Sequence, residues 1–404
     1  QDSPKEVLDQ VWQIVYRDYM DTTGDFNTKE WKQLRKKLLS QSYDDTEHSY
    51  KAIRGMLSSL NDPYTRFLDP REFKEMRIDT SGELTGIGIQ ISIDEASKNI
   101  IVISPIEGTP AFEVGIKAQD IISSVDGKYT KGMSIDKVVK LIRGKSGSKV
   151  KVGIIRGKKE LEFDIVRARI KISAVTKKIN STKAGNKVGY IRLKQFSSNS
   201  SREMRKAINL LESRFVDGYV IDLRGNPGGL LEASIDISRQ LLDKGVIVST
   251  KTKNGITDIR RARGNALTNK PIAILVNEGS ASASEILSGA IQDNNRGILV
   301  GKKTFGKGLV QSVRPLADGS GLTVTVAKYL TPKGTDIHKN GITPDIISSI
   351  KIRNNKKLTS IDMGTKIDTQ YITAEKYLFE RYIKRSSIEK YNSHNSNLIS
   401  VFHN

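Results

Sequence analysis

The segment Asn277-Glu-Gly-Ser-Ala-Ser-Ala-Ser-Glu285 places three hydroxyls after an apolar run, Ile272-Ala-Ile-Leu-Val276. It leads into a segment whose apolar residues Ile286, Leu287, Ala290 and Ile291 recur at helical spacing. The pattern predicts a strand that turns into a helix with a serine at the turn. Orphan N–H groups and the positive end of the helix dipole lie there, where they can stabilise an anion forming on a substrate carbonyl. Twenty-five residues after Ser282, Thr304-Phe-Gly-Lys-Gly-Leu-Val-Gln311 supplies a lysine between two glycines. The glycines let the backbone turn tightly and bring the Lys307 amine close to another loop. A serine beside a lysine is one form of activated nucleophile. A free lysine titrates near pH 10.4, so such a base needs burial that disfavours the ammonium form. Phe305, Leu309 and Val310 are the expected source of that burial, whereas Lys302 and Lys303 read as solvated surface charges.

A third motif, Asp222-Leu-Arg-Gly-Asn-Pro-Gly-Gly229, is richer in glycine than a routine strand–helix junction. Either it brings a backbone N–H close to a ligand or it is simply a tight turn. Composition narrows the chemistry. The chain has no cysteine, which excludes thiolate catalysis, disulfides and Cys-based metal sites. It has four histidines: His48 falls in a helical region and His394 and His403 in a polar tail, so only His338 is placed for a triad. That scarcity favours lysine as the base. No phosphate-cradling loop or dinucleotide fingerprint is present, and no cofactor or metal is expected. The net charge of +21 is spread through every segment, with no zinc finger, RNP aromatic pattern or basic helix, so nucleic acid is not the expected partner. A basic surface also suits acidic partners or peripheral contact with an anionic membrane face. No apolar run is long enough to span a membrane.

At 404 residues the chain has room for about three domains. Residues 1–78 read as a helical N-terminal domain. Leu8, Val11, Trp12, Val15, Tyr16 and Tyr19 form one apolar stripe, and a capping box places the third helix after Asp44, ending at Asp62-Pro63. Residues 79–168 read as short strands with tight turns such as Asp126-Gly127 and a helix over 134–142. Their order resembles a PDZ domain, with Gly86, Ile87, Gly88 and Ile89 in the place of the loop that binds a peptide's terminal carboxylate. Residues 169–350 alternate strands and helices as an α/β core. Residues 351–404 read as a polar, basic, loosely packed extension with one helix-like stretch from Thr373 to Arg385.

Taken in order, the three motifs are similar to those of the carboxyl-terminal processing proteases, a family with a helical N-terminal region, an inserted PDZ domain and an α/β core of the tail-specific protease and crotonase-like type. The resemblance covers roughly residues 5 to 350. It implies a serine endopeptidase that recognises protein C-termini and cleaves upstream of them. Ser282 would be the nucleophile, Lys307 the base and Gln311 the residue that orients the amine. Gly228 and Ala283 N–H groups would form the oxyanion hole, with Asp222, Arg224, Glu285, Asp293 and Thr304 in support. Arg167 matches an arginine that links PDZ position to the active site in relatives, and an ordinary linker arginine is the alternative. Two segments, Ser81–Gln90 and Leu60–Asp69, look closest to cyanobacterial and chloroplast members, which remove the C-terminal extension of the photosystem II D1 precursor. That implies an exported protein of the thylakoid lumen or periplasm. The alternatives are a general tail-specific periplasmic protease, a non-catalytic PDZ or ligand-binding protein on the same core, and a crotonase-like acyl-transfer enzyme. The sequence does not decide the oligomeric state.

Overall fold

The computed structural model describes residues 4–350 and 362–380, apart from 82, 95, 107 and 172. Its first elements are α1 (Pro4–Asp18), α2 (Thr28–Ser40), α3 (Thr46–Ser58), β1 (Arg66–Leu68) and α4 (Pro70–Ser81). Next come β2 (Glu83–Gly86), β3 (Ile89–Ile93), β4 (Ile100–Pro105), α5 (Pro110–Glu113), β5 (Ile121–Val125), β6 (Lys128–Tyr129), α6 (Ile135–Ile142), β7 (Lys149–Arg156), β8 (Lys159–Val166) and β9 (Ala168–Lys171). The chain continues through β10 (Val175–Ser181), β11 (Lys187–Leu193), α7 (Ser200–Ser213), β12 (Gly218–Asp222), α8 (Leu231–Leu241), β13 (Val246–Thr252) and β14 (Gly255–Arg261). It then forms β15 (Ile272–Val276), α9 (Ala283–Asp293), β16 (Ile298–Gly301), β17 (Leu309–Pro315), β18 (Gly321–Leu330), β19 (Ile346–Ile347) and a last helix, α10, over 369–380. Residues 81–172 are one compact unit, and the segments on either side of them together make the other.

The larger unit is built on a six-stranded sheet of order β10-β11-β12-β15-β16-β19, parallel except for the antiparallel edge strand β10. Its strands are covered on both faces, which is why Ile272–Val276 is an unbroken apolar run buried at every position. Alternation along β12 divides the two cores. Tyr219, Ile221 and Leu223 pack with residues of α7, α8 and α9, while Val220 packs with Tyr371, Ala374 and Leu378 of α10. The sequence reading of a loose extension from 351 onward is therefore corrected for residues 362–380, which are part of the core. The rest of that extension, 351–361 and 381–404, lies outside the described residues.

β12 and β15 are parallel neighbours, with Asp222 opposite Leu275. Their carboxyl ends therefore deliver the glycine-rich turn and the serine turn side by side, the usual place for a site in an open α/β sheet. A second sheet of β1, β13, β14, β17 and β18 carries the lysine loop, since β17 starts two residues after Lys307. The N-terminal helices share a core with this sheet: Leu8, Ile53 and Phe67 cluster with Leu322 and Val324. The cap of α3 is Asp45, one residue later than the sequence predicts, and its Oδ1 accepts the His48 N–H at 2.7 Å.

Residues 81–172 form a sheet of order β3-β4-β5-β7-β8, with β6 paired to β5, over a core that includes Ile100, Val102, Val138 and Val152. Asp126 and Gly127 both take positive φ, 47° and 76°, as the tight turn between β5 and β6 requires. A separate pair, β2 and β9, runs antiparallel with Gly86 opposite Ala168.

Candidate active site

Ser282 stands at the N-cap of α9 with φ 53° and ψ −112°. A non-glycine residue held there stores on the order of 1–3 kcal/mol of backbone strain, which the surroundings must hold in place. They do so through the hydroxyls on either side. Ser280 Oγ donates to Leu223 O at 2.8 Å and Ser284 Oγ to Asn226 O at 2.9 Å, and both serines are fully buried. Each ties the serine turn to the glycine-rich turn. Ser282, between them, is only partly buried.

Glu285 joins the serine turn to the lysine loop. Its Oε2 accepts Ser282 N–H at 2.8 Å and Lys307 N–H at 3.0 Å; its Oε1 accepts Thr304 Oγ1 and Gly306 N–H, both at 2.6 Å. The side chain is fully buried. Thr304 Oγ1 in turn accepts Ile342 N–H at 2.7 Å. Two residues expected only to support the site, Glu285 and Thr304, thus form one hydrogen-bonded knot with the backbone of Ser282 and Lys307. Gly308 is required here, because a Cβ on it would sit 2.3 Å from His338 N.

Burial lowers the Lys307 pKa, Arg66 lowers it further, and Asp62 acts in the opposite sense. Phe305, expected to help bury the amine, is 59% exposed and does not. Leu309 is buried, and the Tyr64 ring covers the amine, with its centroid 4.6 Å from Nζ. No hydrogen bond joins Nζ to Ser282 or Gln311 among the described residues. Gln311 lies at a register shift in β17, and its Nε2 is buried without a partner.

Gly228 is tucked against the serine turn. A Cβ there would lie 2.9 Å from Ser282 Cβ and 3.0 Å from Ala283 N, and its φ is 105°. Its N–H donates to Asn226 Oδ1 at 2.9 Å, so in this structure one of the two expected oxyanion donors is held by a side chain. Ala283 opens α9, where backbone N–H groups have no intrahelical acceptor.

Asp222 and Arg224 lie behind the turn and are fully buried. Arg224 Nε and Nη2 donate to Asp222 at 2.9 and 2.6 Å, and Nη1 and Nη2 donate to Asp368 at 3.0 and 2.6 Å. Tyr190 and Gln370 complete the network. Asp293 stands apart: it is at the far end of α9, about 15 Å along the helix from Ala283, where it accepts Lys333 N–H. His338 is held near its neutral form, mainly by burial, and its Nδ1 has no partner.

In the 81–172 unit, Gly86, Ile87, Gly88 and Ile89 line one side of a cavity of about 130 Å³, with Val139 and Ile142 among its other walls. Ile87 O accepts Ala111 N–H and Gly88 O accepts Ile106 N–H, which pins the loop from behind. The described Arg167 contacts stay within this unit. Its guanidinium donates to the carbonyls of Leu141, Ile142 and Lys149 and to Ser148 Oγ, and it faces Asp126.

Asp62, Tyr64 and Asp368 were missed as site residues. In the sequence, Asp62-Pro63 reads only as a helix stop, and Asp368 lies in a polar stretch with no periodicity. No helix among the described residues is long and apolar enough to cross a membrane, and no group of metal-ligating side chains occurs among them.

Known proteins resemble this chain along most of its length. Residues 187–348 match the model of peptidase family S41, and residues 85–166 match the PDZ domain model. The carboxyl-terminal-processing protease of Synechocystis sp. is 42% identical over 92% of this chain and 86% of its own length. The chloroplastic C-terminal processing peptidase of Tetradesmus obliquus is 39% identical over 83% of this chain and 75% of its own. The solved structure of a photosystem II D1 C-terminal processing protease aligns with TM-score 0.60 and 38% identity, covering 86% of this chain and 94% of that one. With relatives this similar along most of their length, the chain belongs to the carboxyl-terminal processing proteases of peptidase family S41, which are serine peptidases.

Proposed function

We propose that this protease uses Ser282 as nucleophile and Lys307 as general base, and that its substrate is a C-terminal extension of the photosystem II D1 type. The knot at Glu285 is the observation that carries the catalytic assignment: one buried carboxylate holds the backbone of both Ser282 and Lys307. Ser280 and Ser284 are committed to carbonyls, which leaves Ser282 as the hydroxyl of the run available for attack. Neutral Lys307 takes the Ser282 proton as Oγ adds to the scissile carbonyl, and the ammonium then protonates the leaving amine. Gln311 orients the lysine amine. Ala283 N–H, at the positive end of α9, stabilises the oxyanion, together with Gly228 N–H once Asn226 Oδ1 releases it. Asp222 and Arg224 fix the glycine-rich turn, and Thr304 holds Glu285. Arg167 braces the PDZ fold from within.

The loop over 86–89 receives the substrate's free carboxylate, and the apolar cavity beside it takes the terminal side chain. The D1 assignment is supported by the names of the chloroplast relative and the aligned structure. It carries with it an exported location, thylakoid lumen or periplasm, with any membrane contact peripheral. The test is incubation with a synthetic D1-type C-terminal peptide and mass analysis of the products. A single cut that releases the extension supports the assignment. Cleavage of unrelated apolar tails at the same rate would replace it with a general tail-specific protease.

A further inference from the structure

We propose that Tyr64 is a positioning residue for the Lys307 amine, its ring forming the wall that holds Nζ and keeps water from one side of it. The inference rests on the reading of Lys307 as the base. The ring centroid lies 4.6 Å from Nζ, whereas Phe305, which the sequence nominates for the task, is mostly exposed. Tyr64 comes from the loop between α3 and β1, distant in sequence from both catalytic turns, and this loop is itself anchored to the sheet beneath the lysine. Asp62 Oδ1 accepts Tyr64 N–H at 2.9 Å, and its Oδ2 accepts Thr65 Oγ1 at 2.7 Å and Thr325 Oγ1 at 2.6 Å. Asp62 and Thr65 are buried. A carboxylate so fully hydrogen-bonded sets the ring's place on the protein and leaves the amine as the mobile partner.

Charged and titratable groups meet here from several elements. Asp62 acts on the amine from the α3–β1 loop and Arg66 from the start of β1, in opposite directions. Glu285 faces in from α9 through its bond to Lys307 N–H. His338, with Asp336 close by, lies in the segment packed on Gly308. Burial, with Asp62 and Glu285, raises the Tyr64 phenol pKa, so the ring stays neutral across the working range. The ring acts in two ways. Its bulk removes water from Nζ, which favours the neutral amine, and its face attracts an ammonium, which favours the charged form and holds it in place. Lowering dominates for a partly buried lysine with little water, so the wall keeps a fraction of the amine neutral at working pH.

The test measures Lys307 directly, in the Ser282→Ala background, by competitive acetylation followed by mass spectrometry across pH. Tyr64→Ala moves the Lys307 reactivity midpoint to higher pH by half a unit or more, roughly a threefold loss of neutral amine near pH 7, whereas Tyr64→Phe leaves it in place. In the Ser282-containing enzyme, Tyr64→Ala lowers kcat rather than raising KM and shifts the activity profile towards alkaline pH, and Tyr64→Phe restores both. If Tyr64→Ala does not fold, Tyr64→Leu, a smaller apolar wall, gives a midpoint shift of the same sign. An unchanged Lys307 midpoint in a folded Tyr64→Ala or Tyr64→Leu protein overturns the proposal. The acetylation readout needs no turnover, so failure of the peptidase assignment would appear separately, as absence of cleavage by the unmodified protein.

Discussion

Replacing Glu285 by glutamine removes a charge and almost no volume, and the structure gives the size of the effect. Four donors converge on this carboxylate, two on each oxygen: Ser282 N–H, Lys307 N–H, Gly306 N–H and Thr304 Oγ1. An amide offers one acceptor oxygen and one NH₂ donor in their place. With its NH₂ turned one way it meets the Ser282 and Lys307 N–H groups; turned the other way it meets Gly306 N–H, while the Thr304 hydroxyl reverses to accept from it. Each buried donor left without an acceptor costs about 1–3 kcal/mol, so Glu285→Gln loses about 1–6 kcal/mol of stability if the loops stay in place. Movement of the lysine loop recovers part of that loss, and it does so at the expense of catalysis. Displacing a catalytic group by about 1 Å costs on the order of 10²-fold in rate. Thermal unfolding with and without denaturant, together with kcat for a free-acid peptide, separates the two losses. Thr304→Val removes one of the four donors and leaves Ile342 N–H without its acceptor, so it falls between the parent and Glu285→Gln. A Glu285→Gln enzyme with parental stability and kcat would refute the idea that this carboxylate ties nucleophile and base together.

Three further outcomes are expected. Arg224→Met leaves two buried carboxylates, Asp222 and Asp368, without their shared cation and destabilises the fold by about 3–5 kcal/mol, measured by denaturant unfolding; a loss under 1 kcal/mol would contradict the burial of the network. Lys307 binds a proton less readily in the folded than in the unfolded state, so its contribution to stability rises with pH towards the unfolded lysine value. Lys307→Met should therefore have a higher Tm than the parent at pH 7, with a margin that shrinks by pH 10. A substrate with an amidated C-terminus loses charge-assisted hydrogen bonds worth about 1.5–3 kcal/mol each, so its KM rises about tenfold or more; equal cleavage of both forms below saturation removes the 86–89 loop from carboxylate recognition.

Much of this arrangement was legible in the sequence because the signals are local. The Ile272–Val276 run, the serine turn and the apolar spacing beyond it define β15 and α9 without reference to the rest of the chain. The glycine-rich turn is equally visible, since only glycine tolerates both a φ of 105° at position 228 and the approach of the serine turn. What escaped is contact between distant segments. Tyr64 reaches Lys307 across most of the chain, and nothing in Asp62-Pro-Tyr-Thr-Arg66 announces a lysine. Asp368 is polar and lies in a weakly patterned stretch, so its buried pairing with Arg224 could not be read before the sheet was assembled. Phe305 misled for a simple reason: adjacency in sequence put it beside the lysine, but the turn at Gly306 points it outward. The polar tail was misread because Tyr371, Ala374 and Leu378 form too short a stripe to stand out against the lysines and serines around them.

The central claim is that Ser282 becomes acylated with Lys307 as its base. It is tested most directly by quenching the enzyme during turnover of a free-acid peptide and locating the covalent adduct by peptide mapping. The account predicts an acyl group on Ser282 in the parent and in His338→Ala, and none in Ser282→Ala or Lys307→Ala. An adduct on Ser280 or Ser284, or acylation of Ser282 that survives Lys307→Ala but is lost in a folded His338→Ala protein, would contradict it.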